Sequence, residues 1–284
     1  MKVLVTGAAG MLGQEVVRVS EAAGHEVIGL RRGELDVTDV EAVRRRVDSE
    51  RPGAVVNCAA YTNVDGAEDE RELAFGLNGR APGVVAAAAA EVGASILHLS
   101  SDYVFDGRKG EPYVESDATA PLSAYGESKL AGEAPTIDAN PRHFVVRSAW
   151  LFGSGGRNFV DTMVRLGRER AEVRVVDDQV GSPTFCADLA EALVALVATD
   201  DHGIHHVAGG GACSWAELAV ETFALAGVDC RVVAITTAEM ARPAPRPALS
   251  ALASERAATP TLRPWQEGLQ AYLGARSRRE QVPA

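Results

Sequence analysis

The stretch that decides the fold opens the chain and reads Lys2-Val3-Leu4-Val5-Thr6-Gly7-Ala8-Ala9-Gly10-Met11-Leu12-Gly13. Its apolar start predicts a strand, and its glycines form a G-x-x-G-x-x-G pattern that leads into an amphipathic stretch. Gly7 permits a tight turn, Gly10 lets the backbone approach a pyrophosphate, and Gly13 lets helix and strand pack closely. The sequence therefore predicts a dinucleotide site, with cofactor contacts from Gly7, Gly10, Met11, Leu12 and Gly13.

The alternation of strand and helix continues through the first half of the chain. Strands are predicted at residues 2–6, 26–30, 54–57, 95–99 and 143–148, and helices at residues 11–23, 40–50, 78–92 and 124–139. Strands that are apolar on both faces and separated by helices are typical of a parallel sheet covered on both sides. Because crossovers are right-handed, the predicted class is α/β with a Rossmann-type doubly wound parallel sheet.

The second half is less regular and predicts a smaller mixed α/β substrate domain. Helices are predicted at residues 158–168, 187–198, 215–226 and 264–273, and strands at residues 173–176, 205–207 and 231–235. The prolines between Pro243 and Pro264 predict an extended, ordered loop, and the polar tail 276–284 is expected to fray. We assign residues 1–151 and about 186–208 to the dinucleotide domain, and about 152–185 and 209–275 to the substrate domain.

Composition excludes several classes of function. The 284 residues carry 28 Lys and Arg against 39 Asp and Glu, a formal net charge of −11, and 46% of them are hydrophobic. Such a chain is too apolar for a disordered protein and too acidic for general nucleic-acid binding. The longest apolar run, at residues 84–90, is too short to span a bilayer, and the early strand leaves no room for a signal peptide. We expect a cytoplasmic protein that binds neither nucleic acid nor membrane.

The cysteines predict neither a metal site nor a disulfide scaffold. Cys58, Cys186, Cys213 and Cys230 are scattered along the chain, and no two of them stand at metal-ligand spacing. We therefore expect no bound metal and four free thiols, which agrees with a cytoplasmic setting.

The end of the second predicted strand bears on the choice of cofactor. A typical NAD site has an Asp there for the ribose 2′-hydroxyl, whereas this chain has Arg31 and Arg32. Two guanidinium groups suit a 2′-phosphate, so we expect NADPH, with NADH as the alternative if both arginines are solvated loop cations. Asp36 and Val37, just beyond, are placed to contact the adenine.

A second pattern predicts proton transfer. Tyr125 and Lys129 form a Y-x-x-x-K pair that shares one face of a predicted helix. An ammonium beside a phenol lowers the phenol pKa and suits Tyr125 to acid–base work. Ser101 follows a buried strand, at the sheet edge where doubly wound folds bind ligands, and its hydroxyl suits a substrate carbonyl. The predicted reaction is hydride transfer at a carbonyl or alcohol carbon, because the chain combines the glycine cradle with Ser101, Tyr125 and Lys129.

These residues resemble the signature of the extended short-chain dehydrogenase/reductase superfamily, and within it the dTDP-4-dehydrorhamnose reductase family. The resemblance runs to about Tyr272. Its matching blocks lie at residues 56–65, 100–107, 146–153, 178–184 and 246–252. The blocks at 100–107 and 178–184 distinguish this family from sugar-nucleotide epimerases and dehydratases, which share the cradle and the Tyr/Lys pair.

The resemblance implies roles for individual residues. Tyr125 looks like the proton donor to the C4 oxygen, Lys129 its helper and ribose ligand, and Ser101, where the family commonly has Thr, the hydrogen-bond partner of the carbonyl. Segment matches imply cofactor contacts for Ala59, Ala60 and Tyr61, deoxysugar contacts for Val64, Asp102, Tyr103 and Trp150, and contacts to the nucleotide end of the substrate for Asn158 and Arg246. Each of these assignments has an alternative. Tyr103 and Trp150 could be core aromatics, Asp102 could cap a turn, and Arg246 could be a surface charge. Some relatives bind Mg²⁺ at a dimer contact, and Glu15 matches one such position, but the full ligand set is not evident in this chain.

The implied function is NAD(P)H-dependent reduction of the C4 keto group of dTDP-4-dehydro-6-deoxy-L-mannose to dTDP-L-rhamnose. Two alternatives stay open. One is a 4-ketoreductase of another dTDP-deoxysugar, in an antibiotic or dihydrostreptose-type pathway. The other is a non-catalytic NADP-binding regulatory subunit that resembles the β subunit of methionine adenosyltransferase. A homodimer is also open.

Overall fold

The computed structural model describes the backbone of residues 1–280 and the side chains of residues 1–276. The strands, in chain order, are β1 Lys2–Thr6, β2 Glu26–Leu30, β3 Ala54–Asn57, β4 Ser95–Ser101, β5 His143–Ser148, β6 Leu151–Phe152, β7 Glu172–Val176, β8 Val180–Gly181, β9 Thr184–Phe185, β10 Gly203–His206, β11 Cys213–Ser214 and β12 Arg231–Ile235. The α-helices are α1 Met11–Ala22, α2 Val40–Glu50, α3 Gly66–Asp69, α4 Arg71–Ala74, α5 Ala81–Glu91, α6 Ala124–Ala139, α7 Phe159–Glu169, α8 Cys186–Val197, α9 Trp215–Ala226, α10 Thr237–Met240 and α11 Trp265–Glu280.

Six parallel strands form the main sheet in the order β10-β5-β4-β3-β1-β2. The order reverses direction at β1 and β3, which is the point where open α/β sheets bind ligands. Strands β3 and β4 are buried along their whole length, which explains their near-continuous apolar sequence. The predicted Rossmann-type doubly wound fold is confirmed.

Alternate side chains of the central strands enter two separate cores. Val3, Val5 and Leu97 pack with α1 and α8 on one face, whereas Leu4 and Ile96 pack with α2 and α5 on the other. Because successive strand side chains point to opposite faces, both layers of helices are anchored by the same short strands. The carboxyl edge of the sheet stays clear between the two layers.

The remaining strands form small pairs: β7 with β12, β6 with β9, and β8 with β11. They pack with α7, α9 and α11 around a core that contains Phe152, Leu218 and Leu269. The proline-containing segment after α10 is extended, as predicted, and makes isolated bridges from Leu249 to Val180 and from Leu252 to Tyr113. None of the helices in the described part of the chain is long and apolar enough to cross a membrane.

Two stretches differ from the sequence prediction. The predicted helix 78–92 begins in a π-helix, Phe75–Arg80, and becomes α-helical at Ala81. The wide turn aims the buried Asn78 amide at Tyr61, whose N–H and carbonyl it binds at 2.8 and 2.9 Å. The tail predicted to fray from Arg276 is instead helical to Glu280, because Arg276 is tied to Asp161 of α7 at 2.7 Å. Residues 281–284 of that predicted tail lie outside the described residues.

Candidate active site

A cleft of about 740 Å³ lies at the carboxyl edge of the main sheet and continues toward the second half of the chain. Most residues that the sequence argument selects line this one cleft. They are Gly7, Gly10, Met11, Leu12, Gly13, Arg32, Asp36, Val37, Ala59, Ala60, Val64, Ser101, Asp102, Tyr103, Tyr125, Lys129 and Trp150. Arg31, Tyr61, Asn158 and Arg246 are not among its lining residues.

The glycine cradle is packed as its spacing predicts. Gly7 has a φ of +68°, and a Cβ there would lie 2.6 Å from the backbone nitrogen of Ala59. A Cβ on Gly13 would lie 2.2 Å from the carbonyl oxygen of Gly7. Gly10 is the N-cap residue of α1 and offers no side-chain cap, so the first N–H groups of the helix remain available to an anion.

At the far end of the cleft, Arg32 lines the wall and Arg31 does not. Asp36 accepts hydrogen bonds from the Thr38 N–H at 2.9 Å and the Thr38 hydroxyl at 2.7 Å. These bonds, with Arg32 nearby, lower the pKa of Asp36 and keep it charged. Thr38 also lines the cleft, and the sequence argument missed it.

A buried carboxylic acid sits where β4 ends. Asp102 accepts from the Ser101 hydroxyl at 2.9 Å and from the Ser250 hydroxyl at 2.6 Å. Burial raises the pKa of Asp102 to about 7, although both hydrogen bonds lower it. The group therefore titrates near neutral pH inside the cleft. Ser250 comes from the proline-containing segment, within the matching block 246–252, and no spacing in the sequence connects it with Asp102.

Tyr125 and Lys129 project from α6, whose first turn is capped by Ser123. The Lys129 Nζ donates to the carbonyl oxygen of Leu99 at 2.5 Å. Burial lowers the pKa of Lys129 to about 8, while Glu133 and Cys58 act to raise it. The helix therefore holds the ammonium against the end of β4.

The expectation that an ammonium lowers the phenol pKa does not hold for Tyr125 in this structure. Burial raises the pKa of Tyr125 to about 12, with a smaller upward contribution from Asp102, and the hydrogen bond with Ser101 lowers it. Burial is the largest influence on this pKa, and the Lys129 ammonium donates to the Leu99 carbonyl instead. The Tyr125 phenol is therefore neutral across the physiological pH range.

Two tryptophans form the wall of the cleft on the side of the second half. The Trp150 and Trp215 rings stack with centroids 3.5 Å apart and planes 5° apart. Trp150 has a φ of +45°, and Gly181 leaves the space its indole occupies, since a Cβ there would lie 2.3 Å from the ring. Trp215 lines the cleft too, and no spacing in the sequence connects it with Trp150.

Three predicted ligand residues already bind other groups of the chain: Tyr61, Asn158 and Arg246. The Tyr61 hydroxyl donates to Glu70. The Asn158 side chain caps α7 and donates to the Gly153 carbonyl at 2.9 Å.

Arg246 is half-buried and pairs with Asp65 at 3.0 Å. Its guanidinium also donates to the Ala244 carbonyl at 2.8 Å and hydrogen-bonds the phenol of Tyr103, which lines the cleft.

The Ser148 hydroxyl is a further group that sequence reasoning missed. It lines the cleft, is buried, and has no hydrogen-bond partner among the described residues. Within the same part of the chain, no group of three or more His, Cys, Asp or Glu side chains is arranged to hold a metal ion. The cleft therefore offers hydroxyl, phenol, carboxyl and cationic groups.

Comparison with known proteins matches this arrangement to one family. A family model described as RmlD substrate binding domain matches residues 1–277. The chain is 47% identical over 276 residues to the dTDP-4-dehydrorhamnose reductase of Streptomyces griseus, covering 94% of this chain and 91% of that protein. It is 43% identical over 275 residues, 95% of this chain and 93% of the relative, to a Streptomyces antibioticus protein named probable dTDP-4,6-dihydroxy-2-methyloxan-3-one 4-ketoreductase.

A solved structure of similar fold contains a dinucleotide. The dTDP-4-dehydrorhamnose reductase of Bacillus anthracis in complex with NADP superposes with a TM-score of 0.94 and is 38% identical, covering 96% of this chain and 99% of that chain. The likeness therefore extends through both halves of the molecule.

Proposed function

Because the chain belongs to the RmlD substrate binding domain family, we propose that it reduces the C4 keto group of dTDP-4-dehydro-6-deoxy-L-mannose to give dTDP-L-rhamnose, with NADPH as reductant. The observation that carries this proposal is the placement of Ser101, Tyr125 and Lys129 in the same cleft as the glycine cradle. A carbonyl reductase needs these two features within one substrate length of each other.

The chain's own residues fit a dinucleotide. A side chain at Gly7 or Gly13 would clash with neighbouring backbone atoms. Without one, the backbone and the N–H groups at the start of α1 can bind a diphosphate. Arg32 is exposed on the cleft wall and suits a 2′-phosphate, while Asp36 and Val37 lie beside it for the adenosine. The cofactor would then lie along Ala59, Ala60 and the backbone of Tyr61 and reach Lys129. NADPH, when bound, supplies the hydride.

The proton chemistry rests on Tyr125. Its neutral phenol donates a proton to the C4 oxygen of the sugar, which becomes strongly basic as the carbonyl is reduced. The Ser101 hydroxyl hydrogen-bonds the same oxygen, and it must turn away from Asp102 to do so. Lys129 holds the cofactor ribose and stabilises the phenolate that Tyr125 leaves behind.

The sugar is proposed to lie among Val64, Asp102, Tyr103 and Trp150, all of which line the cleft. For the nucleotide end of the substrate, Arg246 is the candidate that reaches the cleft, because it contacts Tyr103 as well as Asp65. Asn158 is assigned to holding the loop before α7 through the Gly153 carbonyl. In this proposal, residues 1–151 and about 186–208 bind the cofactor, and residues about 152–185 and 209–275 bind the substrate.

The four cysteines are unpaired, which fits a reducing cytoplasm, the proposed location. A homodimer stays a prediction that sedimentation would test.

A second candidate is a 4-ketoreductase of another dTDP-deoxysugar. It is favoured by the 43% identity to the Streptomyces antibioticus relative with a 4-ketoreductase name. A non-catalytic regulatory subunit is the weaker alternative, because Ser101, Tyr125 and Lys129 are all present in the cleft.

Product analysis tests the proposal. The purified protein is incubated with NADPH that carries deuterium at the transferable position, and with either dTDP-4-dehydro-6-deoxy-L-mannose or dTDP-4-dehydro-6-deoxy-D-glucose. NMR of the first reaction should show dTDP-L-rhamnose with deuterium at C4. Faster turnover of the second substrate would favour the other ketoreductase, and no turnover of either would refute the proposal.

A further inference from the structure

The loop between β6 and α7 lies directly on the first turn of α1. A Cβ on Gly155 would lie 2.6 Å from the Gln14 amide, and one on Gly156 would lie 3.3 Å from the Met11 Cβ. Gly155 also has a φ of +85°. The loop therefore runs as bare backbone against the helix start that the glycine cradle presents.

Side chains from α7 and α11 fix the position of this loop. The Asn158 amide donates to the Gly153 carbonyl at 2.9 Å, and its oxygen accepts from the Asp161 N–H at 2.9 Å. The Tyr272 hydroxyl donates to Asp161 at 2.8 Å and lies 3.2 Å from the same Gly153 carbonyl. Residue 157, which directly precedes the cap, is thereby held at the edge of the cleft.

Arg157 occupies that position, lines the cleft and is exposed. Its side chain forms no hydrogen bond or ion pair within the part of the chain that the structure describes. The nearest acidic residue on the first turns of α1, Glu15, is paired with Arg18 at 2.7 Å. In a chain with a net charge of −11, an unpaired guanidinium beside a helix N-terminus makes a local site for an anion.

The other cations of the cleft lie at its two ends. They place no positive charge in its middle for an anionic ligand. Arg32 lies at the adenosine end, and the Lys129 ammonium is held by Leu99 at the opposite end. A dinucleotide carries its diphosphate between those two ends, and a guanidinium fork suits phosphate oxygens.

We propose that Arg157 binds the diphosphate of the dinucleotide together with the α1 N-terminus, and that the loop 153–157 is the strap that places it there. The inference rests on the proposed function for the identity of the cofactor. The substrate also contains a diphosphate, but the strap packs on Met11 and Gln14, which belong to the cofactor cradle. The cofactor is therefore the assigned ligand.

Binding measurements on Arg157→Gln test the inference without any turnover. Titration calorimetry would compare NADP⁺ with adenosine 2′-monophosphate, which keeps the adenine and the 2′-phosphate but has no diphosphate. We expect the Kd for NADP⁺ to rise about tenfold, which corresponds to about 1.4 kcal/mol, and the Kd for the monophosphate to stay within twofold. The dependence of the NADP⁺ Kd on salt concentration should also weaken.

Arg170→Gln is the matched control, because Arg170 is an exposed arginine at the opposite end of α7. It removes the same charge from the other flank of α7 and should leave both affinities unchanged. Unchanged NADP⁺ binding in Arg157→Gln, or an equal loss for the monophosphate, would overturn the inference. A loss confined to dTDP binding would also overturn it, because the ligand would then be the substrate. A wild-type protein that binds NADP⁺ but reduces no 4-keto sugar refutes the proposed function alone.

Discussion

The ammonium of Lys129 donates to the carbonyl oxygen of Leu99 at 2.5 Å, and this bond joins α6 to the carboxyl end of β4. The side chain is almost fully buried, so a charged group is fixed between helix and sheet. Because burial lowers its pKa from 10.5 to about 8, the charge is held in the folded protein at a free-energy cost. The buried charge therefore does not stabilise the fold, and this agrees with the role proposed for Lys129 in the cleft.

Lys129→Met should therefore inactivate the protein and stabilise it. Between pH 8 and 10.5 the unfolded chain holds the Lys129 proton more tightly than the folded chain, so this group's contribution to stability rises with pH across that window. We expect the cofactor-free variant to gain about 1–3 kcal/mol at pH 7, since part of the gain is offset by the lost hydrogen bond to Leu99. The gain should shrink as pH approaches 10.5. Urea unfolding at several pH values measures it, and a destabilised variant at pH 7 would contradict it.

Tyr125→Phe removes the proposed proton donor without changing the shape of the ring. The rate of NADPH oxidation with the 4-keto substrate should fall by about 10²–10⁴, while the Kd for NADP⁺ stays within twofold. Since the pKa of Tyr125 is about 12, the wild-type reduction should show no loss from Tyr125 ionisation below about pH 10. Steady-state kinetics and calorimetry make the two measurements. Retained activity in the variant would exclude Tyr125 as the donor.

Asp102 should control the pH dependence near neutrality. Its ionised form accepts the Ser101 proton at 2.9 Å, whereas its protonated form is a weaker acceptor and releases that hydroxyl toward the substrate. Since the pKa of Asp102 is about 7, we expect kcat/KM to rise as the pH falls through 7. Asp102→Asn cannot ionise and should give a flat profile there. If the inflection near pH 7 persists in Asp102→Asn, another group causes it and the prediction is wrong.

Much of the site was predictable because its parts are local in sequence. The glycine spacing sets the turn, the helix start and the close packing of Gly13 on Gly7 within a few residues. The Tyr125 and Lys129 pair needs only one turn of helix. Each parallel strand also brings its last residues to the same edge of the sheet, so Ser101 could be placed from the position where its strand ends.

The parts that the sequence did not reveal depend on contacts between distant segments. Ser250 reaches Asp102 from the extended proline segment, and Trp215 stacks on Trp150 from the start of another helix. Neither pair has a spacing that periodicity detects. Arg246 depends on the fold in the same way, because its contacts with Asp65 and Tyr103 come from two distant segments.

Arg32→Ser tests cofactor choice. Arg32 is exposed on the cleft wall, so its guanidinium is available to a 2′-phosphate. We expect the KM for NADPH to rise about tenfold and the KM for NADH to stay unchanged, as for the loss of one charge-assisted hydrogen bond. Arg31→Ser is the matched control, because Arg31 is the adjacent exposed arginine and does not line the cleft. Equal effects of the two substitutions would show that general charge, and not a 2′-phosphate contact, sets the preference.

Glu133 connects stability with the titration of the active site. Its carboxylate binds the Arg147 guanidinium through two hydrogen bonds, of 2.9 and 2.7 Å, and both side chains are only 4% exposed. Glu133→Gln leaves a buried guanidinium without its counter-charge, so the free energy of unfolding should fall by about 3–5 kcal/mol. Glu72→Gln breaks a pair with Arg80 that is largely exposed, and should have little effect.

The same substitution should be visible in kinetics. Glu133 raises the pKa of Lys129, so its removal lowers that pKa further below 8. If the charged form of Lys129 is the active one, the alkaline limb of the kcat profile moves to lower pH in Glu133→Gln and stays in place in Glu72→Gln. Profiles recorded with saturating NADPH at a temperature where both variants are folded separate this shift from simple unfolding. A destabilised Glu133→Gln protein whose alkaline limb does not move would show that Glu133 supports the fold without tuning Lys129.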